Sequence, residues 1–390
     1  MKRYFILLHF IPILNFAQSK SITNNNDKGT FSILAMYQNG YVFQTNKFLR
    51  GSNSEKDTIN AFQAAAIKFS KQTNGDNQWE QIYNYPNYGI GIYLADFYNP
   101  EEIGTPFSFF GFFNAPFKRW EKSSFNYELG FGATFNWKSF NPLTNKYNIA
   151  LGAGESFLID LGINFQYNLT NKIDLITGIS LTHFSNGALK KPNYGLNTIA
   201  PKISLKYKFY NQIDFNKQEI EKYFPQNEWL ITIFGGVKNV IFDSVNIDII
   251  DKYQGVYFPV MGITTAINRQ ITYKSKIGLG MSLSYNGVIN AQVAVDKNEL
   301  EVIDQPFIDK IQISIFPSYE LVINKISLII QPAFYIYRKK LKHQTPIFYQ
   351  RAGLKYHISK NFFSGLTVRI YSFEFSDFIE WNVGYKIDWR

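Results

Sequence analysis

The chain is expected to be an all-β protein: a transmembrane antiparallel β-barrel of the outer-membrane type with about 14–16 strands. Three observations predict this. Aromatic residues make up 18% of the 390 positions, with 37 Phe and 26 Tyr, while charged residues reach only 18%. Long segments alternate apolar and polar side chains through most of the sequence. After the N-terminus, no stretch offers the ~20 consecutive apolar residues of a membrane helix. An aromatic-rich outer face and a polar lumen are what a membrane barrel needs, and without a spanning helix only a closed barrel can cross.

The N-terminus reads as a secretory signal over 1–18. Lys2-Arg3 form the positive start, Tyr4 to Leu14 the apolar core, and Phe16-Ala17-Gln18 a cleavage region. The alternative, a transmembrane anchor, has an apolar run well short of the ~20 residues required. The remainder, 19–390, is expected to be barrel. The chain has no Cys, which excludes a disulfide framework and a thiolate metal site.

Candidate strands fall at 31–45, 60–70, 88–98, 107–117, 125–138, 156–169, 173–185 and 198–210. They continue at 228–241, 256–270, 273–286, 309–321, 325–337, 347–357, 361–372 and 378–389. Most are longer than the ~5–6 residues usual in soluble sheets. In 156–169 the odd positions are Phe157, Ile159, Leu161, Ile163, Phe165, Tyr167 and Leu169, against Ser156, Asp160, Asn164, Gln166 and Asn168. In 198–210, Ile199, Ile203, Leu205, Tyr207 and Phe209 oppose Lys202, Ser204, Lys206 and Lys208. The last strand sets Ile379, Trp381, Val383, Tyr385, Ile387 and Trp389 against Glu380, Asn382, Lys386 and Asp388. Period-two side-chain alternation then places the apolar row outward and the polar row in the lumen. Arg369, Lys202, Lys206 and Lys208 make part of that lumen basic. An aromatic-rich final strand also resembles the C-terminal strand of outer-membrane barrels.

Connection lengths support the topology, because such barrels have short periplasmic turns and longer outer loops. With the C-terminus periplasmic, the short links 358–360, 322–324, 271–272 and 170–172 fall on the inner side. The longer links 338–346, 287–308, 242–255, 186–197 and 139–155 fall outside. Two links break the rule, since 211–227 and 71–87 are long yet periplasmic. A helical turn over Asp214 to Tyr223 accounts for the first. For the second, segment 60–70 is weak, and if 31–70 stays out of the wall the strand number falls from sixteen to fourteen.

One stretch carries chemistry. His183 and Ser185 stand two residues apart at the outer end of strand 173–185, ahead of a turn rich in Gly, Asn and Pro. Both share the odd row with Ile173, Leu175, Ile179 and Leu181, so both face outward at the outer leaflet. A polar residue on that face is tolerated near the interface, where the cost is about 0–1 kcal/mol. A base beside a hydroxyl suggests an activated serine; the bland alternative is an incidental interfacial pair.

His183-Phe184-Ser185-Asn186-Gly187, followed by Lys190-Lys191-Pro192-Asn193-Tyr194-Gly195, resembles the active-site segment of outer-membrane lipid A 3-O-deacylases, the PagL-like acyloxyacyl hydrolases. The resemblance is strongest over 84–210 and includes Tyr85-Pro86-Asn87-Tyr88-Gly89-Ile90-Gly91 and Gly130-Phe131-Gly132. The second half of the chain has no counterpart in the compact eight-stranded members. The resemblance implies a serine-type carboxylic ester hydrolase of a Gram-negative outer membrane that removes an acyl chain from lipopolysaccharide. It makes Ser185 the nucleophile, His183 the general base and Asn193 an oxyanion contributor, with backbone N–H groups near Asn186 and Gly187. The family's third member is a Glu, whose place here falls to Asn197. An amide at that position in a serine hydrolase favours the wrong imidazole tautomer at large cost, and Glu155 is the alternative acid. Lys190 and Lys191 are either contacts for a substrate phosphate or solvated loop lysines.

The sequence implies no cofactor, no metal and no nucleic-acid partner. His343 and His357 fall at opposite ends of the barrel, and the net charge of +10 is spread along the chain. The rival to the hydrolase is a non-catalytic barrel, a channel or scaffold with a decayed motif, suggested by Asn197 and the large strand number.

Overall fold

Alternation gives every strand one face for a lumen and one for an apolar surround, and sixteen such strands form among the described residues. A computed structural model describes residues 30–209, 215–242, 246–253, 255–300, 304–342, 344–373 and 375–389. The expected signal peptide and His343 lie outside the described residues. The first eight strands are β1 (Thr30–Val42), β2 (Ala61–Gln72), β3 (Asn87–Asp96), β4 (Gly104–Arg119), β5 (Ser123–Trp137), β6 (Ser156–Asn168), β7 (Ile173–Ser185) and β8 (Leu196–Lys208). The second eight are β9 (Gln226–Asn239), β10 (Tyr257–Gln270), β11 (Ser275–Asn286), β12 (Ile311–Ile323), β13 (Ile326–Tyr337), β14 (Phe348–His357), β15 (Phe362–Tyr371) and β16 (Phe375–Trp389).

The weak segment 60–70 joins the wall as β2, so the larger strand number holds. The sixteen strands do not form one ring, however. They close as two antiparallel barrels, β1–β8 and β9–β16. In the first, β8 returns to β1 with Lys208 opposite Ser32 and Thr198 opposite Val42. In the second, β16 returns to β9 with Trp389 opposite Asn227 and Trp381 opposite Gly235. This corrects the single barrel over 19–390, and it explains one of the two anomalous links. The segment 211–227 is the connection between barrels, and its described residues 215–225 form neither helix nor strand, so the expected helical turn is absent from them. The other, 71–87, holds a short helix, α1 (Gln78–Ile82). Two outer links also carry helices, α2 (Ile247–Tyr253) and α3 (Ile289–Lys297). Among the described residues no helix is long and apolar enough to cross a membrane.

The interior of an eight-stranded ring is narrow enough for side chains to fill, and here the inward rows fill it with paired charges. In the first lumen Glu128 accepts from Lys68 at 2.6 Å and from Lys202 at 2.9 Å. In the second, Glu380 takes Arg369 at 2.7 Å and Arg351 at 2.7 Å, while Glu320 and Glu228 hold Lys276. Each carboxylate needs its cations, since stripping one partner from a buried pair costs about 3–5 kcal/mol. The voids among these groups are small, about 20 Å³ in the first lumen and about 40 Å³ in the second, room for a few waters at most. Outward rows stay apolar and exposed: Ile203, Leu205, Met261, Ile263 and Val383 are examples.

The outer end of the first lumen is different, because an aromatic plug replaces the charges. Phe184 is fully buried there, its ring centroid 5.2 Å from that of Trp137 and 6.2 Å from that of Phe97. The Trp137 indole donates to Ser156 Oγ at 2.8 Å. Phe184 lies between His183 and Ser185 in sequence, so the plug anchors the strand end that carries both.

With both lumens filled, the purified protein in a planar bilayer is expected to show no stepwise conductance. Discrete open-channel steps would contradict this description of the interior.

Candidate active site

β7 ends in Leu181-Thr182-His183-Phe184-Ser185, with Thr182 and Phe184 buried on the lumen side and Leu181 exposed on the outer wall. His183 and Ser185 therefore share the row of Leu181, opposite to that of Thr182 and Phe184. Antiparallel pairing with β8 sets Asn197 directly opposite His183. Their side chains meet, His183 Nδ1 to Asn197 Oδ1 at 2.6 Å. A carbonyl oxygen only accepts, so in this orientation Nδ1 carries the proton and Nε2 is left as a base. Gly195 makes the arrangement possible. Its φ is +73°, and a Cβ there would lie 3.0 Å from His183 Cε1.

The loop 186–195 turns back over Ser185. Ser185 Oγ accepts from the Gly187 backbone N–H at 3.1 Å and from Asn193 Nδ2 at 2.8 Å. Asn186 N–H donates to Asn193 Oδ1 at 3.1 Å, which fixes the carboxamide with its nitrogen toward the serine. This refines one expected role: the Asn186 N–H aligns Asn193 and is not a free oxyanion donor. The Asn186 side chain closes the loop by donating to Lys190 O at 2.8 Å. Gly187, at φ +63°, supplies the turn.

Both acceptor positions of Ser185 Oγ are occupied, which leaves its own hydrogen to donate. Among the described residues no hydrogen bond joins Ser185 to His183, although both project from the same face. Glu155 is exposed just before β6, and no described hydrogen bond or ion pair joins it to His183. The structure thus brings Asn197 to the imidazole and leaves Glu155 apart.

Lys190 is exposed, and Lys191 is partly buried toward the second barrel. There Lys238 and Asp377 form a buried pair at 2.7 Å. Burial holds the Lys191 ammonium below the ordinary lysine range, with Lys238 adding to the effect and Asp377 opposing it. Three residues near the loop were not legible in sequence. Ser376 Oγ accepts from Asn193 Nδ2 at 3.3 Å, Phe375 meets Tyr194 edge-on at 5.7 Å, and Ile379 reaches Gly187. All three lie in the second barrel, more than 180 positions along the chain, and no local pattern marks them. Among the described residues no group of His, Asp or Glu could hold a metal ion.

Comparison with known proteins follows the division into two barrels. Residues 63–206 match the family model described as lipid A 3-O-deacylase (PagL). Residues 227–389 match the model described as acyloxyacyl hydrolase, C-terminal domain. Among solved structures the chain is similar to the outer membrane enzyme PagL, at 17% identity and a TM-score of 0.30, over 44% of this chain and 97% of that one. It is also similar to a mutant porin of Rh. blastica, at 9% identity and a TM-score of 0.18, over 92% of this chain and 99% of that one. A third is the siderophore receptor PirA from Pseudomonas aeruginosa, at 7% identity and a TM-score of 0.24, over 95% of this chain and 82% of that one. No curated protein matches the chain.

The imidazole tautomer is directly measurable. Nitrogen-15 shifts of His183 are expected to show a protonated Nδ1 and a bare Nε2, with the preference lost in Asn197→Leu. A protonated Nε2 in the unsubstituted protein would contradict the orientation described.

Proposed function

Because the chain belongs to the lipid A 3-O-deacylase family of outer-membrane proteins, carrying that domain in its first barrel and the acyloxyacyl hydrolase C-terminal domain in its second, we propose that it is a serine-type ester hydrolase removing an acyl chain from lipid A. The observation that carries this reading is the convergence on Ser185. Two N–H donors meet at its Oγ, and an imidazole with a free Nε2 projects from the same face two residues away.

The chemistry follows from these positions. Ser185 Oγ attacks the ester carbonyl as His183 Nε2 takes its proton. The carbonyl oxygen becomes an oxyanion beside the Gly187 N–H and Asn193 Nδ2, which turn from Oγ to the developing charge. Collapse of the tetrahedral species expels the sugar hydroxyl, which takes the proton from His183. Water then repeats the sequence on the acyl-serine, with His183 again as base. Asn197 holds the imidazole by Nδ1 and stabilises the imidazolium less than a carboxylate does. The site lies on the outward row at the outer end of β7, so an acyl chain standing in the outer leaflet reaches it along the wall. Lys190 is free to meet a phosphate of the anionic glycolipid, and Lys191 stands beside it.

The second reading, a non-catalytic barrel, is favoured by one observation, the amide at Asn197. Its channel version conflicts with the filled lumens.

Mass spectrometry of lipid A from cells expressing equal amounts of each protein decides between them. The unsubstituted protein should release one acyl chain, and Ser185→Ala or His183→Asn should lower turnover by at least about 10³-fold. Asn197→Asp, the isosteric carboxylate, should raise turnover by about tenfold or more, since an amide in place of the acid costs up to about 10⁴ elsewhere. Identical acylation with and without Ser185 would sink the hydrolase reading.

A further inference from the structure

The rim of the second barrel reaches into the site on the first. The Asn193 carboxamide has one acceptor and two donor hydrogens, and the fold engages all three. Oδ1 takes the Asn186 N–H at 3.1 Å, while Nδ2 lies 2.8 Å from Ser185 Oγ and 3.3 Å from Ser376 Oγ. Ser376 is the second residue of β16, beside the irregularity where the β15 register shifts between Arg369 and Ile370. That shift lets Asp377 turn to Lys238 while Ser376 faces the neighbouring barrel.

The surrounding contacts make this a fitted surface. Ile379 belongs to the outward row of β16 with Trp381 and Val383. It is 4% exposed where they are 45% and 59% exposed. Its side chain lies against Gly187, where an added Cβ would be 2.6 Å from Ile379 Cδ1. Ser185 is likewise on an outward row yet only 9% exposed. Tyr194 and Phe375 close the outer edge. At the inner end, Tyr83 donates to Val322 O at 2.6 Å, so the barrels also touch there.

We propose that Ser376 is a positioning residue for the hydrolysis, acting through Asn193, and that the second barrel thereby completes the oxyanion site of the first. The inference rests on the hydrolase reading above. As the reaction proceeds, Asn193 Nδ2 must pass from Ser185 Oγ to the oxyanion. A carboxamide held only by Oδ1 and the serine would be free to tilt at that moment. Ser376 takes the second hydrogen and keeps the other aimed at the reacting carbon. The effect belongs to the transition state, so it falls on kcat more than on KM.

The test uses the full chain in detergent micelles with purified lipid A. Ser376→Ala should lower kcat about tenfold with KM within about twofold, less than the ~10²–10³ lost when an oxyanion donor itself is removed. Ser376→Thr, which keeps the hydroxyl, should return kcat to within about twofold of the original. Ser376 is half-buried at a rim, so both variants should retain the heat-modifiable mobility of folded barrels. An unchanged kcat in Ser376→Ala, or equal loss in both variants, overturns the proposal. Failure of the hydrolase reading is distinguishable, because it would appear as undiminished acyl release in Ser185→Ala whatever stands at 376.

Discussion

The register of β7 on β8 sets Asn197 opposite His183, and a slip of one residue would send one of the two side chains into the lumen. The slip is prevented from both faces. Inside, Phe184 sits in the aromatic plug and Thr182 donates to Asp160 at 2.7 Å. Outside, Leu181 and Ile199 pair on the exposed wall. From that register the rest follows in sequence. Gly195 must pass close to the imidazole, the loop must fold back over Ser185, and Asn193 must arrive with its nitrogen toward Oγ. The site is therefore built by a rigid wall and one short loop, without a pocket inside the barrel.

The two rings share the work differently. The first holds Ser185, His183, Gly187 and Asn193, the residues proposed for the chemistry, while the second sets Ser376 and Ile379 of its β16 rim against their loop. An eight-stranded ring is narrow enough for side chains to fill, and in both rings ion pairs occupy that space. The proposed chemistry then falls to the outer surface, beside the seam between the rings. The seam covers Ile379, an outward-row position that lipid would otherwise surround, while Ser185 is covered by its own loop.

Much of this was legible in the sequence. The period-two alternation located nearly every strand, and the outward placement of His183 and Ser185 followed from the same parity. Asn197 was expected on that face, and the hydrogen bond to His183 lies where that expectation put it. Closure was not legible, because alternation says which way a side chain points and nothing about which strand lies beside it. The single hint was the long link 211–227 on the side where short turns belong, which marks the passage from one barrel to the next. Ser376, Phe375 and Ile379 could not be read at all. Ile379 carries the pattern of a lipid-facing residue, and only the docking of the barrels buries it. Glu155 has the right parity but no described hydrogen bond or ion pair to the imidazole, since parity fixes the face and leaves the distance open.

The central claim is that Ser185 is the nucleophile, activated by His183 on the outer wall. A long-chain alkyl fluorophosphonate tests it most directly, read by peptide mass spectrometry of the labelled protein. One adduct is expected, on Ser185, and it should be lost in His183→Asn. An adduct on another residue, or none while acyl release continues, would contradict it.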